Sequence, residues 1–193
     1  MLYESQLKIM KVKEFFKKQR FQWMDFNVPE ADGQVLYDLI VKSNYQRALE
    51  IGTSTGHSAI WIARALSKTG GKLITIEIDD GRYRKALANF EEAGLLKYID
   101  ARLADAHDLV RELEGPFDFV FSDADEDWYK NYFMALAPKL EVGGCFTAHN
   151  VSWIDDRGIG EFLDHVQSLL NFETTINRAS REGISISYKR AKV

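Results

Sequence analysis

The sequence predicts an α/β fold: a doubly wound, mainly parallel sheet with helices on both faces. Three observations predict it. Short apolar runs alternate with helix-period segments from Arg47 to Leu170, the pattern of parallel strands joined by crossover helices. The first run passes into a glycine turn, Ala48-Leu49-Glu50-Ile51-Gly52-Thr53-Ser54-Thr55-Gly56-His57-Ser58, the opening of a nucleotide-type α/β unit. Polar residues then collect where successive runs end, at Glu50 with the glycine loop, Glu77, Asp105, Asp123 and His149-Asn150. In an open α/β sheet those ends share one edge, and ligands bind there.

At 193 residues the chain is expected to form one domain, 1–193, with residues 1–27 as an N-terminal helical segment and 28–193 as the core. A net charge of −4 argues against nucleic-acid binding driven by bulk charge. The single Cys145 excludes an intramolecular disulfide and suits a reducing, cytoplasmic setting. No apolar run reaches the length of a membrane span, so no membrane partner is expected.

Within residues 5–26, Leu7, Met10, Val12, Phe15, Phe16 and Trp23 recur near helical spacing among lysines. This is either an amphipathic packing helix with a solvated basic face or a lid over a pocket. Pro29, Glu30 and Asp32 mark a helix start, because proline suits the first turn and acids complement the helix dipole; Leu36 and Ile40 give its buried stripe. Arg47–Ile51 is the first strand, and a helix follows the glycine loop to about Leu66. Lys72–Ile78 is the second strand. Tyr83, Ala86, Leu87 and Phe90 mark the next helix, with Gly94 as its cap. Ile99–Leu103 and Phe117–Ser122 are the third and fourth strands. Tyr129, Tyr132, Phe133 and Leu136 mark a helix, and Cys145–Ala148 is the fifth strand. Residues 160–170 are the last helix. Phe172–Ile176 and Ile184–Lys189 close the chain as an antiparallel pair.

Glu77 lies 25 residues past Gly52, where an acid at the end of the second strand accepts hydrogen bonds from ribose hydroxyls. Asp105 is either the partner of an adenine amino group or the N-cap of the helix that follows. The loop itself reads G-x-x-x-G, not the G-x-G-x-x-G of a dinucleotide site, and no phosphate-binding Gly-Lys-Ser/Thr is present. Glu50 beside it is awkward for a pyrophosphate and comfortable for a cation. A sulfonium that carries an amino group suits these features, and S-adenosylmethionine has both.

These segments resemble the motifs of class I S-adenosylmethionine-dependent methyltransferases, and more narrowly the catechol and caffeoyl-coenzyme A O-methyltransferase family with its small bacterial members. The matching stretches are L-E-I-G-T-S-T-G-H-S, I-T-I-E-I-D, L-A-D-A, G-P-F-D-F-V-F-S-D-A-D, G-G-C-F-T-A-H-N-V-S-W and E-G-I-S-I-S-Y-K-R, in order across residues 29–190. The resemblance implies a Rossmann-like seven-stranded sheet whose last strand is antiparallel. It implies that Glu50, Gly52, Thr53, Ser54, Gly56 and Ser58 surround the methionine part of the cofactor, that Glu77 with Ile78 holds the ribose, that Asp105 and Ala106 border the adenine, and that Asp123 adjoins the cofactor. It further implies a divalent metal, usually magnesium, on an acid after strand four and an Asp-Asn pair after strand five, with a nearby lysine as general base. A homodimer and a small-molecule acceptor with a catechol-like aromatic hydroxyl complete what the resemblance implies.

Three positions depart from that pattern. Residues 149–150 read His-Asn, Glu126 stands where the lysine is expected, and Ser185 aligns with a further substrate-holding acid. Asp123, His149 and Asn150 therefore read either as ligands of a metal softer than magnesium, such as manganese or zinc, with Glu126 as an added ligand or base, or as a metal-free site in which His149 is the general base. A structural strand-end histidine is the third reading. The competing functions are a dinucleotide-dependent oxidoreductase, an S-adenosylmethionine-binding protein whose chemistry is altered or lost, and a tRNA-modifying methyltransferase. His57, Trp128, Tyr129 and Trp153 are candidate walls of an aromatic pocket.

Overall fold

The fold was analysed in a computed structural model, which describes residues 10–12, 14–17, 28–152 and 157–191. Seven strands form one sheet: β1 (Arg47–Ile51), β2 (Lys72–Glu77), β3 (Ile99–Leu103), β4 (Phe117–Ser122), β5 (Leu140–Ala148), β6 (Phe172–Asn177) and β7 (Ile184–Lys189). Their order across the sheet is β3-β2-β1-β4-β5-β7-β6. β7 pairs antiparallel with both β5 and β6, and the pairs among β1 to β5 are parallel. The strand order reverses between β1 and β4, the switch point at which α/β sheets open a crevice.

Strand alternation assigns each face its core. On β1, Ala48 faces one cluster of buried residues, and Leu49 and Ile51 face the other, as a period of two requires. The first face is covered by α1 (Glu30–Ser43), α2 (His57–Thr69) and α3 (Asp80–Glu92), through Leu36, Ile40, Ile60, Leu66 and Phe90. The second is covered by α4 (Ala106–Glu112), α5 (Tyr129–Leu136) and α6 (Arg157–Ser168). There Phe133 meets Phe146, Phe162 and Phe172 with ring centroids 4.9 to 6.0 Å apart, mostly edge to face, the arrangement that ring quadrupoles favour.

Boundaries differ from the sequence expectation where local signals are weak. β5 starts at Leu140, five residues early, because Gly143 and Gly144 lie inside the strand instead of before it. α2 continues to Thr69 and ends on Gly70, whose φ of 81° closes the helix. Of the N-terminal segment, Val12 and Phe15 are buried in the first core cluster, and Phe16 stacks on Trp61 at 4.9 Å. Leu7 and Trp23 lie outside the described residues, as does Trp153.

Gly33 sets the distance between α1 and α2. A Cβ there would sit 2.4 Å from the Trp61 indole. Gly33→Ala is therefore expected to destabilise the protein even though alanine is the better helix former. Overpacking costs about 1–3 kcal/mol against roughly 1 kcal/mol of helix propensity, a net loss of up to about 2 kcal/mol, so thermal unfolding should show Tm lower by up to about 8 °C.

Candidate active site

The strand ends do converge. A cavity of about 710 Å³ lies along the carboxyl edge of the sheet, lined by Gly52, Thr53, Ser54, Ser58, Glu77, Ile78, Asp105 and Ala106 from the β1–β2–β3 side and by Asp123, Glu126, His149 and Asn150 from the β4–β5 side. Backbone bonds lock these loops to one another. Gly52 and Thr53 donate to Ile76 O at 3.1 Å, Asp123 to Ile51 O at 2.9 Å, and His149 to Ser122 O at 3.0 Å.

The glycine loop is shaped by contacts on its hidden side. Gly52 has φ +94°, and a Cβ on it would lie 2.5 Å from the Asp123 carbonyl. Gly56 has φ +93°, and its missing side chain makes room for the Phe90 ring. Asn89 donates to Thr55 O at 2.8 Å, so α3 holds the loop from behind. Gly56 itself does not line the cavity.

Glu50 also stands behind the wall. It is fully buried on β1, opposite Thr75 of β2. Thr75 Oγ1 donates to Glu50 Oε2 at 2.5 Å and lies 2.5 Å from Thr53 Oγ1. Burial pushes the Glu50 carboxyl up to about 8; hydroxyls of Ser58 and Thr75 pull the other way, and Asp123 and Glu77 add to the rise. The acid thus belongs to a buried chain of hydroxyls that supports the loop, and a ligand in the cavity meets Thr53 and Ser58 first.

Glu77 is aimed by three backbone donors. Ser54 N binds Oε2 at 2.7 Å, and Ile78 N and Asp79 N bind Oε1 at 3.0 and 2.9 Å. An ionised carboxylate has about four lone-pair sites, so acceptor capacity remains toward the cavity. Asp105 accepts from His107 N at 2.9 Å and caps α4, the capping role that the sequence offered, and it also lines the cavity. His107, which the sequence reading did not single out, lines the same wall. Its Nε2 lies 2.8 Å from Asp125 Oδ2 and its ring 3.9 Å from Trp128.

At the other side, His149 is clamped. Its Nδ1 lies 3.0 Å from Asp123 Oδ1 and its Nε2 2.9 Å from Asp32 Oδ2. The same Asp32 oxygen accepts from Ser180 Oγ at 2.5 Å. Burial alone would lower the imidazole, but the hydrogen bonds and charges of Asp123 and Asp32 outweigh it and push His149 up to about 9. Burial raises the Asp123 carboxyl, with His149 opposing. Asn150 sits at φ +60° and donates from Nδ2 to Glu126 Oε1 at 3.0 Å. Asparagine tolerates that left-handed backbone better than most residues, and such strain often marks functional positions.

Asp32 and Ser180 were missed because each has an ordinary local explanation. An acid in the first turn of α1 reads as a dipole partner, and Ser180 sits in the turn between β6 and β7. Only the fold brings them to His149, across 117 residues in the case of Asp32. Lys130, one helical turn beyond Glu126 and a candidate to replace the expected lysine, lies 4.0 Å from Glu161 and does not line the cavity. Tyr129 is core, packed on Phe162, and Ser185 is buried in β7. His57 lines the cavity, and burial lowers its imidazole to about 4 against the pull of the Val28 backbone.

The side chains present do not fit the divalent ion that the sequence resemblance implies. Both ring nitrogens of His149 are already engaged by carboxylate oxygens, so neither is directed at an open coordination position. The Asn150 amide is bonded to Glu126 through its nitrogen. Among the described residues, no group of three or more His, Cys, Asp or Glu side chains is arranged to hold a metal. Nor is any helix among them long and apolar enough to cross a membrane.

Comparison with known proteins places this geometry. A family model described as O-methyltransferase matches residues 3–186. A catechol O-methyltransferase of Niastella koreensis is 38% identical over 129 residues, which are 65% of this chain and 58% of that protein. Caffeoyl-CoA O-methyltransferase 1 of Eucalyptus globulus is 33% identical over 136 residues, 68% of this chain and 55% of that one. The matched region therefore spans little more than half the length of these curated relatives. Among solved structures, the O-methyltransferase from Bacillus cereus in complex with SAH superposes with a TM-score of 0.82 at 25% identity, covering 94% of this chain and 91% of that chain. The chain belongs to the O-methyltransferase family.

Proposed function

We propose that the protein transfers a methyl group from S-adenosylmethionine to an oxygen of a small, aromatic-type acceptor. The observation that carries this reading is the single cavity in which the glycine loop and Glu77 face Asp123, Asn150 and His149. The relatives' names support an oxygen acceptor, and the SAH complex of the Bacillus cereus protein supports the cofactor. The single, buried Cys145 suits a reducing, cytoplasmic setting.

The cradle fits the cofactor. The missing side chain at Gly52 leaves the loop backbone open to a ligand, Glu77 is pre-aimed for a ribose diol, and acidic walls suit a cation. When bound, S-adenosylmethionine supplies a methyl group activated by its sulfonium charge. The chain's own residues do the rest. Asp123 faces the cavity with a carboxyl raised by burial, so it accepts a proton from the acceptor hydroxyl more readily than an ordinary aspartate. The neighbouring imidazolium stabilises the oxygen charge that develops as the proton leaves. Enclosure in the crevice orients the acceptor oxygen toward the methyl group.

Titration calorimetry with S-adenosylmethionine and S-adenosylhomocysteine tests the reading. Both are expected to bind and NAD is not. Binding of NAD alone would overturn it. Glu77→Ala removes a charged acceptor worth about 1.5–3 kcal/mol, so cofactor affinity should fall by roughly 10- to 150-fold with the fold intact by circular dichroism.

A further inference from the structure

The ring of His149 is bracketed by two carboxylates on opposite nitrogens, at 3.0 Å and 2.9 Å. An ionised carboxylate only accepts hydrogen bonds, so two of them on opposite nitrogens favour a ring that carries both protons. Three features hold it in that state. His149 is 4% exposed and Asp32 is fully buried, so water does not compete for the bonds. Asp32 lies in the first turn of α1, where the helix dipole favours an anion. Ser180 donates to the same Asp32 oxygen, which keeps that oxygen an acceptor. The ring also lines the cavity.

We propose that the His149 imidazolium, fixed between Asp32 and Asp123, is the resident positive charge of the acceptor site and takes the place of a divalent metal ion. The proposal deepens the methyltransferase reading and rests on it. Metal entry would require His149 to give up the proton on Nδ1 and break its bond to Asp123, and the incoming ion would face a cation at close range. Asp32 acts as a positioning residue: it does not line the cavity, but it fixes the ring plane and its second proton. The chemical consequence is an acceptor oxyanion stabilised by one fixed positive charge, with Asp123 free to take the proton through its other oxygen.

The test uses the full chain with S-adenosylhomocysteine bound. Electron paramagnetic resonance of free Mn²⁺ during titration reads metal uptake, and ¹⁵N-resolved NMR of the histidine rings at neutral pH reads the protons on His149. The expected result is no stoichiometric Mn²⁺ uptake and a doubly protonated His149 ring. His149→Asp, which restores an oxygen donor, should gain Mn²⁺ affinity by at least about tenfold. Asp32→Asn should keep S-adenosylhomocysteine affinity but lose the doubly protonated ring signature, an outcome that a purely structural Asp32 would not give. One equivalent of Mn²⁺ bound by the wild-type protein, or a singly protonated His149 ring, overturns the proposal. So does a folded His149→Asp protein that gains no metal affinity; should that variant fail to fold, the two wild-type readouts still decide. Failure of S-adenosylhomocysteine to bind would instead count against the methyltransferase reading, since the Mn²⁺ titration and ring spectra can be recorded without it.

Discussion

Gly52→Ala is expected to lower affinity for S-adenosylhomocysteine by at least about 100-fold, equivalent to roughly 2.7 kcal/mol. Two costs combine. The residue holds φ +94°, and a side chain in that region costs about 1–3 kcal/mol. The new Cβ would also stand 2.5 Å from the Asp123 carbonyl and 2.8 Å from Ala124 Cβ, closer than real contacts allow. Both obstacles are backbone or the start of a short side chain, so no rotamer change relieves them. The loop must retreat from β4, and the amide groups that donate to Ile76 O move with it. Calorimetry on folded protein checks the affinity. Binding within threefold of wild type would show that the close approach of β1 to β4 does not shape the cofactor cradle.

The second large effect concerns pH. Glu50 has a folded value of about 8 against an ordinary 4.5. Between those values the folded chain keeps the proton and the unfolded chain has lost it. Stability contributed by this group is therefore fully present below about pH 4.5, declines as pH rises, and is gone above about 8. At 1.36 kcal/mol per unit, the swing is on the order of 3–5 kcal/mol. Glu50→Gln keeps the neutral shape without the titration. Its Tm should match wild type within a few degrees near pH 5 and exceed it by roughly 10 °C near pH 9. Parallel pH profiles of the two proteins would show that Glu50 is ionised in the fold and that the loop is built around a buried anion.

Both effects lie in the part of the molecule that was most legible as sequence. Gly52 announces itself because glycine after an apolar run has few other uses, and Glu77 follows from spacing along one βαβ unit. Those relations are local, within about one supersecondary element. The face that Glu50 occupies was also readable in principle, since it shares the parity of Ala48 on β1; what was not readable was that Thr75 stands opposite, which is a matter of register between strands. The acceptor half was legible only as a list of unusual letters. Glu126 and His149 stood out against the expected pattern, but their partners could not be named. Asn150 meets Glu126 across 24 residues and His149 meets Asp32 across 117, contacts fixed by strand order and not by any periodicity.

β7 runs against its neighbours, so its first residues lie beside the last residues of β5. The turn before it reaches the acceptor side in this way: Ser152 N donates to Glu182 O at 2.9 Å, and Ser180 meets Asp32. The His149 side of the cavity is thus backed by α1 near the start of the described chain and by the hairpin near its finish, while the opposite wall comes from the stretch between Gly52 and His107. A change in α1 or in the β6–β7 turn can therefore reshape the surroundings of His149 without touching the wall that runs from Gly52 to His107.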